Sequence, residues 1–217
     1  MTEDALLLDL GFRGYKETWK LQLTMVERRA SGSLPDALIL VEHPHVYTLG
    51  RRAPDDMEVP AGVAVHRVER GGDITYHGPG QLVAYPIIKL DERRMDIKAY
   101  LRDLEEVAIR TLRKFQIRGE RGAQTGVWVG GRKIASIGIA LRHWVTFHGL
   151  ALNADPDLDY FRRIRPCGLE GETITSMVEV LGKGVYLPTV KEEFKHHFQE
   201  VFGVHLRPVD EALLGLL

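Results

Sequence analysis

The chain is short of the residues that cross-link or clamp a fold. Its 217 residues include a single cysteine, Cys167. One thiol excludes an internal disulfide framework and a cysteine-rich structural zinc site, and makes a reducing, cytoplasmic compartment the expectation. No apolar run approaches the ~20 residues of a membrane-spanning helix. The opening Met1-Thr2-Glu3-Asp4 is acidic where a signal peptide is basic. An excess of one charge is also lacking, since 29 Lys+Arg against 30 Asp+Glu leave a formal net charge of -1. That balance provides no strong field for nucleic acid or a membrane surface, so neither is an expected partner. Repeats and low-complexity tracts are missing as well. Lysine is scarce, with 9 residues beside 20 arginines.

What is present is enough apolar character, 44% of residues, for a real core. Short apolar segments at 6–10, 37–41, 63–68 and 82–88 read as strands, as do 127–129, 133–141 and 144–152. Gly130-Gly131 is a hairpin signal between two of them. Helical spacing marks 13–29, with Gly32 placed to end it, and a helix from the N-cap Asp96 to before Gly119. A last helix is expected to open with the capping box Thr189-x-x-Glu192 and to end before Gly203. Strands and helices do not alternate strictly. The expectation is therefore an α/β (α+β) fold with a mixed, largely antiparallel sheet flanked by helices. One domain over 1–217 is expected, with the part from about residue 185 as a candidate small sub-lobe.

Three segments can carry chemistry. Arg70-Gly71-Gly72-Asp73-Ile74-Thr75-Tyr76-His77-Gly78-Pro79-Gly80-Gln81 packs four glycines among polar side chains. Such a run lets backbone approach a ligand closely, although tight turns around a satisfied polar cluster would look similar. It is neither G-x-G-x-x-G nor a Walker loop. Lys133 opens the strand Lys133-Ile134-Ala135-Ser136-Ile137-Gly138. Strict alternation puts it on the face of Ala135, Ile137, Ile139 and Leu141, opposite Ile134, Ser136, Gly138 and Ala140. A lysine there can simply end a strand in solvent, but unlike arginine it can give up its proton. Cys167 sits between Pro166 and Gly168, after Arg162, Arg163 and Arg165. A lone cysteine can be a small buried hydrophobe. A nearby ammonium would instead lower its pKa and make it a nucleophile. His43 and His45 could share a strand face, and His196 and His197 should point apart on a helix. With no H-E-x-x-H among them, no metal is expected.

These blocks together resemble the lipoyl(octanoyl) transferases of the LipB type. The similarity is carried by the 70–81 segment, by Gly131-x-Lys133-Ile-Ala-Ser-Ile-Gly138, and by His148-Gly149 through Asn153 to Pro166-Cys167-Gly168. Glu42-His43-Pro44 with Val46 to Arg51 adds to it, so that it spans about residues 37 to 180. The resemblance implies a biotin/lipoate-protein-ligase-like fold and an ATP-independent acyltransferase with no cofactor. It implies transfer of octanoyl from octanoyl-acyl carrier protein to a lysine of lipoyl domains, in 2-oxo-acid dehydrogenase complexes and the glycine-cleavage H protein. Cys167 would be the nucleophile, forming an acyl-thioester, and Lys133 would hold the thiolate and move protons. Arg70, Gly71, Gly72, Asp73, Ile74, Thr75, Tyr76 and His77 would line the acyl pocket, with Ser136, Ile137, Gly138, Gly149, Leu150 and Ala151. Apart from the resemblance, the cluster Arg162, Arg163 and Arg165 is a candidate dock for the acidic carrier, with a solvated charge run as the alternative. An ATP-dependent lipoate or biotin ligase, or a non-catalytic acyl-binding module, are the alternatives. A mass increment on Cys167 would separate them.

Overall fold

The computed structural model describes residues 3–57, 59–90, 96–164 and 173–215. Strand β1 (Glu3–Phe12) leads into helix α1 (Tyr15–Ala30). Tyr15, Thr18, Leu21, Gln22, Met25 and Val26 form its inward stripe, the i, i+3, i+4 pattern of a one-sided helix. Strand β2 (Ala37–Glu42) is an almost wholly buried apolar run, as a central strand must be. Strands β3 (Val46–Leu49), β4 (Ala64–Arg67), β5 (Ile74–His77) and β6 (Gln81–Ile87) follow. Helix α2 (Ile97–Lys114) starts where the Asp96 carboxylate accepts from the Lys98 and Ala99 N–H groups. After it come β7 (Glu120–Arg121), β8 (Gly126–Val129), β9 (Arg132–Arg142) and β10 (Val145–Asn153). The chain continues through α3 (Asp159–Arg162), α4 (Met177–Leu181), α5 (Leu187–Phe202) and β11 (Val204–Pro208), then a 3-10 turn at Glu211–Leu214.

Eight strands form one sheet in the order β11-β1-β2-β6-β10-β9-β8-β7. It is parallel at one edge, where β1 pairs with β11 and β2, and antiparallel across the rest. This is the mixed, largely antiparallel sheet flanked by helices that the strand pattern predicts. One face buries Leu38, Leu40, Leu152 and Ile134 against Leu104, Val107 and Leu112 of α2 and Phe194 and Phe198 of α5. Each such aromatic or leucine contributes about 2–3 kcal/mol by leaving water. The other face packs Ile39, Val83, Tyr85 and Phe147 against Met25 and Val26 of α1. Beside α1, strands β4-β3-β5 make a small second sheet with its own cluster around Tyr47, Tyr76 and Phe161. Among the described residues, no helix is long and apolar enough to cross a membrane.

One expectation changes here. Helix α5 begins at Leu187, with Tyr186 in the cap position and proline in the first turn. Thr189 therefore lies inside the helix and caps nothing, because the fixed φ of Pro188, with no N–H to satisfy, already starts the turn. The segment after residue 185 packs into the main sheet's own core. Val190, Phe194, Phe198 and Phe202 join the α2 cluster, and β11 pairs with β1 from Glu3↔Val204 to Leu7↔Pro208.

A second change sets up the site. Strand β8 pairs Gly126 with Ser136 and Val127 with Ala135, but Trp128 pairs with Lys133. One extra residue on β9, a β-bulge, separates the last two pairs. Paired residues share a face, so Lys133 lies on the side of Trp128, Gly126, Ser136 and Gly138. Strict alternation would set it opposite Ser136 and Gly138; the bulge turns it over.

Candidate active site

That face of β9 closes one wall of a cavity of about 720 Å³, within the ~300–1,000 Å³ usual for small-molecule sites. The residues from Arg70 to His77 line it except Tyr76, together with Lys133, Ser136, Ile137, Gly138, Gly149, Leu150 and Ala151. Tyr76 is the exception among the pocket residues implied by the resemblance. On β5 the side chains alternate, and Tyr76 turns away to stack on Tyr160 at 4.9 Å, its hydroxyl 2.8 Å from His45 Nδ1. Cys167 lies outside the described residues, as do Arg165, Pro166 and Gly168. On the near side of that segment Arg162 is ion-paired with Asp159, and the Arg163 guanidinium lies 4.7 Å over the Tyr160 ring.

The glycine-rich loop is docked on β9 by main chain. Strand β8 stops opposite Ser136, and further along β9 the Gly71 N–H donates to the Ile139 carbonyl at 2.9 Å. Gly138 permits this approach: a Cβ there would stand 3.1 Å from the Gly71 oxygen and 3.2 Å from Arg70 Cδ. Arg70 is buried and acts as the loop's clamp. Its guanidinium donates to the Thr48 carbonyl at 2.6 Å, to Thr48 Oγ1 at 2.9 Å and to the Gly71 carbonyl at 2.9 Å.

A chain of side-chain amides ties this wall to the Lys133 strand. The Thr175 carbonyl accepts from Asn153 Nδ2 at 2.9 Å, so Asn153 presents Oδ1 to Gln81 Nε2, also at 2.9 Å. Gln81 therefore offers Oε1 to His77 Nδ1 at 3.2 Å. This fixes His77 as the Nδ1–H tautomer, with Nε2 left as an acceptor. The Thr175 N–H in turn donates to the Lys133 carbonyl at 2.9 Å, beside the Lys133↔Ile174 bridge. Lys133 itself is buried. Its Nζ lies 5.0 Å from the centroid of the Trp128 ring.

Three histidines near the cavity are held neutral. Burial, reinforced by His43 and Arg70, keeps His77 well below the usual histidine range. Burial pushes His43 down to about 4, against the bond to the Arg13 carbonyl. His43 bridges that carbonyl at 2.7 Å and the Tyr85 hydroxyl at 3.0 Å. Burial also lowers His148, outweighing Glu69 at 3.5 Å. The Tyr15–His43–His77–Tyr85 cluster was not legible as a unit, because its members come from four separate segments. His196 and His197, expected to point apart, both turn to Glu200, at 3.3 and 2.9 Å. Among the described residues this is the one group of three or more His, Cys, Asp or Glu residues close enough to hold a metal ion; it lies on α5, and none of its members lines the cavity.

The glycine loop docked at Gly138 and Ile139 and the lysine set by the bulge thus share one wall of the cavity. The family model for the lipoyl protein ligase A/B catalytic domain matches residues 14–199, and the chain belongs to that family. Its curated relatives narrow the class. An octanoyltransferase of Gloeobacter violaceus is 49% identical over 209 residues, covering 94% of this chain and 93% of the relative. One of Syntrophobacter fumaroxidans is 45% identical over 211 residues, with 93% and 92% covered. Among solved structures, lipoate-protein ligase A bound with ATP superposes with a TM-score of 0.81 at 18% identity, covering 100% of this chain and 92% of that one. A biotin protein ligase from Aquifex aeolicus gives 0.53 at 12% identity, covering 93% and 69%. At those identities the solved structures speak to fold alone.

Proposed function

We propose that the protein is an octanoyltransferase that moves an octanoyl group from octanoyl-acyl carrier protein to a lysine of lipoyl domains, through an acyl-thioester on Cys167. The observation that carries the reading is Lys133, buried on the wall of a cavity whose other side is the docked glycine loop. Octanoyltransferases 49% and 45% identical over most of both chains support it over a ligase, since lipoate-protein ligase A is only 18% identical.

In this reading the Cys167 thiolate attacks the thioester carbonyl carbon. Collapse of the tetrahedral intermediate expels the carrier's thiolate, which leaves as thiol once protonated. The neutral ε-amine of the acceptor lysine then attacks the octanoyl-cysteine, forming an amide and returning the Cys167 thiolate. Lys133 holds the thiolate by its charge and passes protons between leaving thiolate and incoming amine. Backbone N–H groups around Ser136, Ile137 and Gly138 serve as oxyanion donors. Thioester exchange is nearly balanced and amide formation from a thioester is downhill, so neither step needs ATP. The acceptors are lipoyl domains of 2-oxo-acid dehydrogenase complexes and the glycine-cleavage H protein.

Intact-protein mass after incubation with octanoyl-carrier tests the reading. The wild type should gain one octanoyl group, lose it to a lipoyl domain, and show ping-pong kinetics. Cys167→Ala should gain nothing. Product formed by Cys167→Ala from free octanoate and ATP would replace the reading with a ligase.

A further inference from the structure

The cation that the proposed mechanism uses is gripped by an aromatic side chain with no place in that mechanism. The bulge in β9 sets Trp128 directly across from Lys133, so both side chains leave the sheet on the same face. Lys133 Nζ stands 5.0 Å from the indole centroid, within the ~6 Å over which a cation is attracted to an aromatic face.

The indole is itself locked. Its Nε1–H donates to the Gln124 carbonyl at 3.2 Å. Gly122 opens the space for it, since a Cβ at 122 would come within 2.5 Å of Trp128 Nε1 and 2.6 Å of Cδ1. Gly126, the next residue of β8 on that face, is equally specialised. A Cβ there would lie 2.9 Å from Lys133 Cε and 3.4 Å from Nζ. Its φ of +133° lies where L side chains are rare. Two glycines and a carbonyl thus shape one slot for the indole and one for the lysine stem.

We infer that Trp128 is a positioning residue for the proposed reaction, its ring face fixing the Lys133 ammonium at the cavity wall. The inference rests on the transferase reading, in which that ammonium meets the reacting sulfur. Trp128 is not among the residues that line the cavity; in this inference it acts through Lys133. Indole has the strongest π-face of the aromatic side chains, phenylalanine keeps a weaker one and leucine has none.

The experiment measures single-turnover octanoylation and steady-state transfer for wild type, Trp128→Phe, Trp128→Leu and Lys133→Ala. Expected is a graded loss in kcat, small for Phe and roughly tenfold or more for Leu, with KM for the lipoyl domain unchanged. Lys133→Ala should be inactive. An active Lys133→Ala overturns the transferase reading itself. An inactive Lys133→Ala with Trp128→Leu at the wild-type rate overturns only the present inference, as do Phe and Leu variants that are equally impaired. A measurement on the unaltered protein guards against a misfolded Leu variant. The Lys133 ε-methylene protons should resonate upfield in the ring current of Trp128, and an ordinary shift overturns the inference.

Discussion

Asn153→Asp puts the amide chain behind the cavity to a quantitative test. In the wild type Asn153 accepts from Gln81 and donates to the Thr175 carbonyl, both at 2.9 Å and both buried. The aspartate keeps the first bond. Its second oxygen, when ionised, faces the carbonyl oxygen of Thr175 where a donor stood. An unmade buried bond of this kind costs about 3 kcal/mol, which corresponds to a folded pKa raised by about 2 units above the ordinary ~3.9. A raised folded pKa means that the native state binds more protons than the unfolded one across that window. The variant's stability is then present below about pH 4 and lost as pH rises through about 6. Urea unfolding of variant and wild type at matched pH should show near-equality at pH 4 and a deficit of about 3 kcal/mol at pH 7. Asn153→Leu, which strands the Thr175 oxygen at every pH, should show a flat deficit. Because the Thr175 N–H holds the Lys133 carbonyl, kcat should fall with stability at pH 7. A deficit for Asn153→Asp that does not change between pH 4 and pH 8 would refute the assigned amide orientation and, with it, the His77 tautomer.

Two further outcomes are expected. His43, pushed down to about 4 by burial, binds fewer protons folded than unfolded between about pH 4 and 6.5. It therefore lowers stability as pH falls through that window, by about 3 kcal/mol in all. His43→Leu should be less stable at pH 7 yet show a shallower acid loss in urea unfolding, and an unchanged slope would count against its burial as a neutral ring. Gly138→Val would place methyl groups against the Gly71 oxygen and Arg70 Cδ, already 3.1 and 3.2 Å from a Cβ. The ratio of kcat/KM for octanoyl over butanoyl donors should drop roughly tenfold or more, and an unchanged ratio would mean that Gly138 does not border the acyl chain.

Most strands and all the long helices follow from apolar spacing, because each buries one face or lies wholly in the core. The bulge at Ile134 escaped that logic for a physical reason. Ile134 and Ala135 are both apolar and both fully buried, so Ile134 as the extra residue leaves no mark in the hydrophobic pattern. Only the pairing of Trp128 with Lys133 reveals it. The small sheet was legible in pieces, yet its parallel β3–β4 pairing and its inward Tyr76 depend on tertiary packing. The cavity residues were legible mainly as motifs. The amide chain through Gln81, Asn153 and Thr175 was not, since its members are far apart in sequence and meet only when β6 and β10 pair.

The pairing of β1 with β11 bears on how the chain reaches this state during synthesis. Glu3 and Val204 are partners in the sheet, so β1 finds its outer neighbour only after some 200 further residues have been added. Until then β1 can dock on β2, but its far side presents unpaired N–H and C=O groups, which recruit other strands. The Phe-rich side of α5, which immediately precedes β11, is needed to cover the same core. Nascent chains arrested before residue 204 should therefore be the aggregation-prone species of this protein, and pairing of β11 the step that covers the open edge of β1.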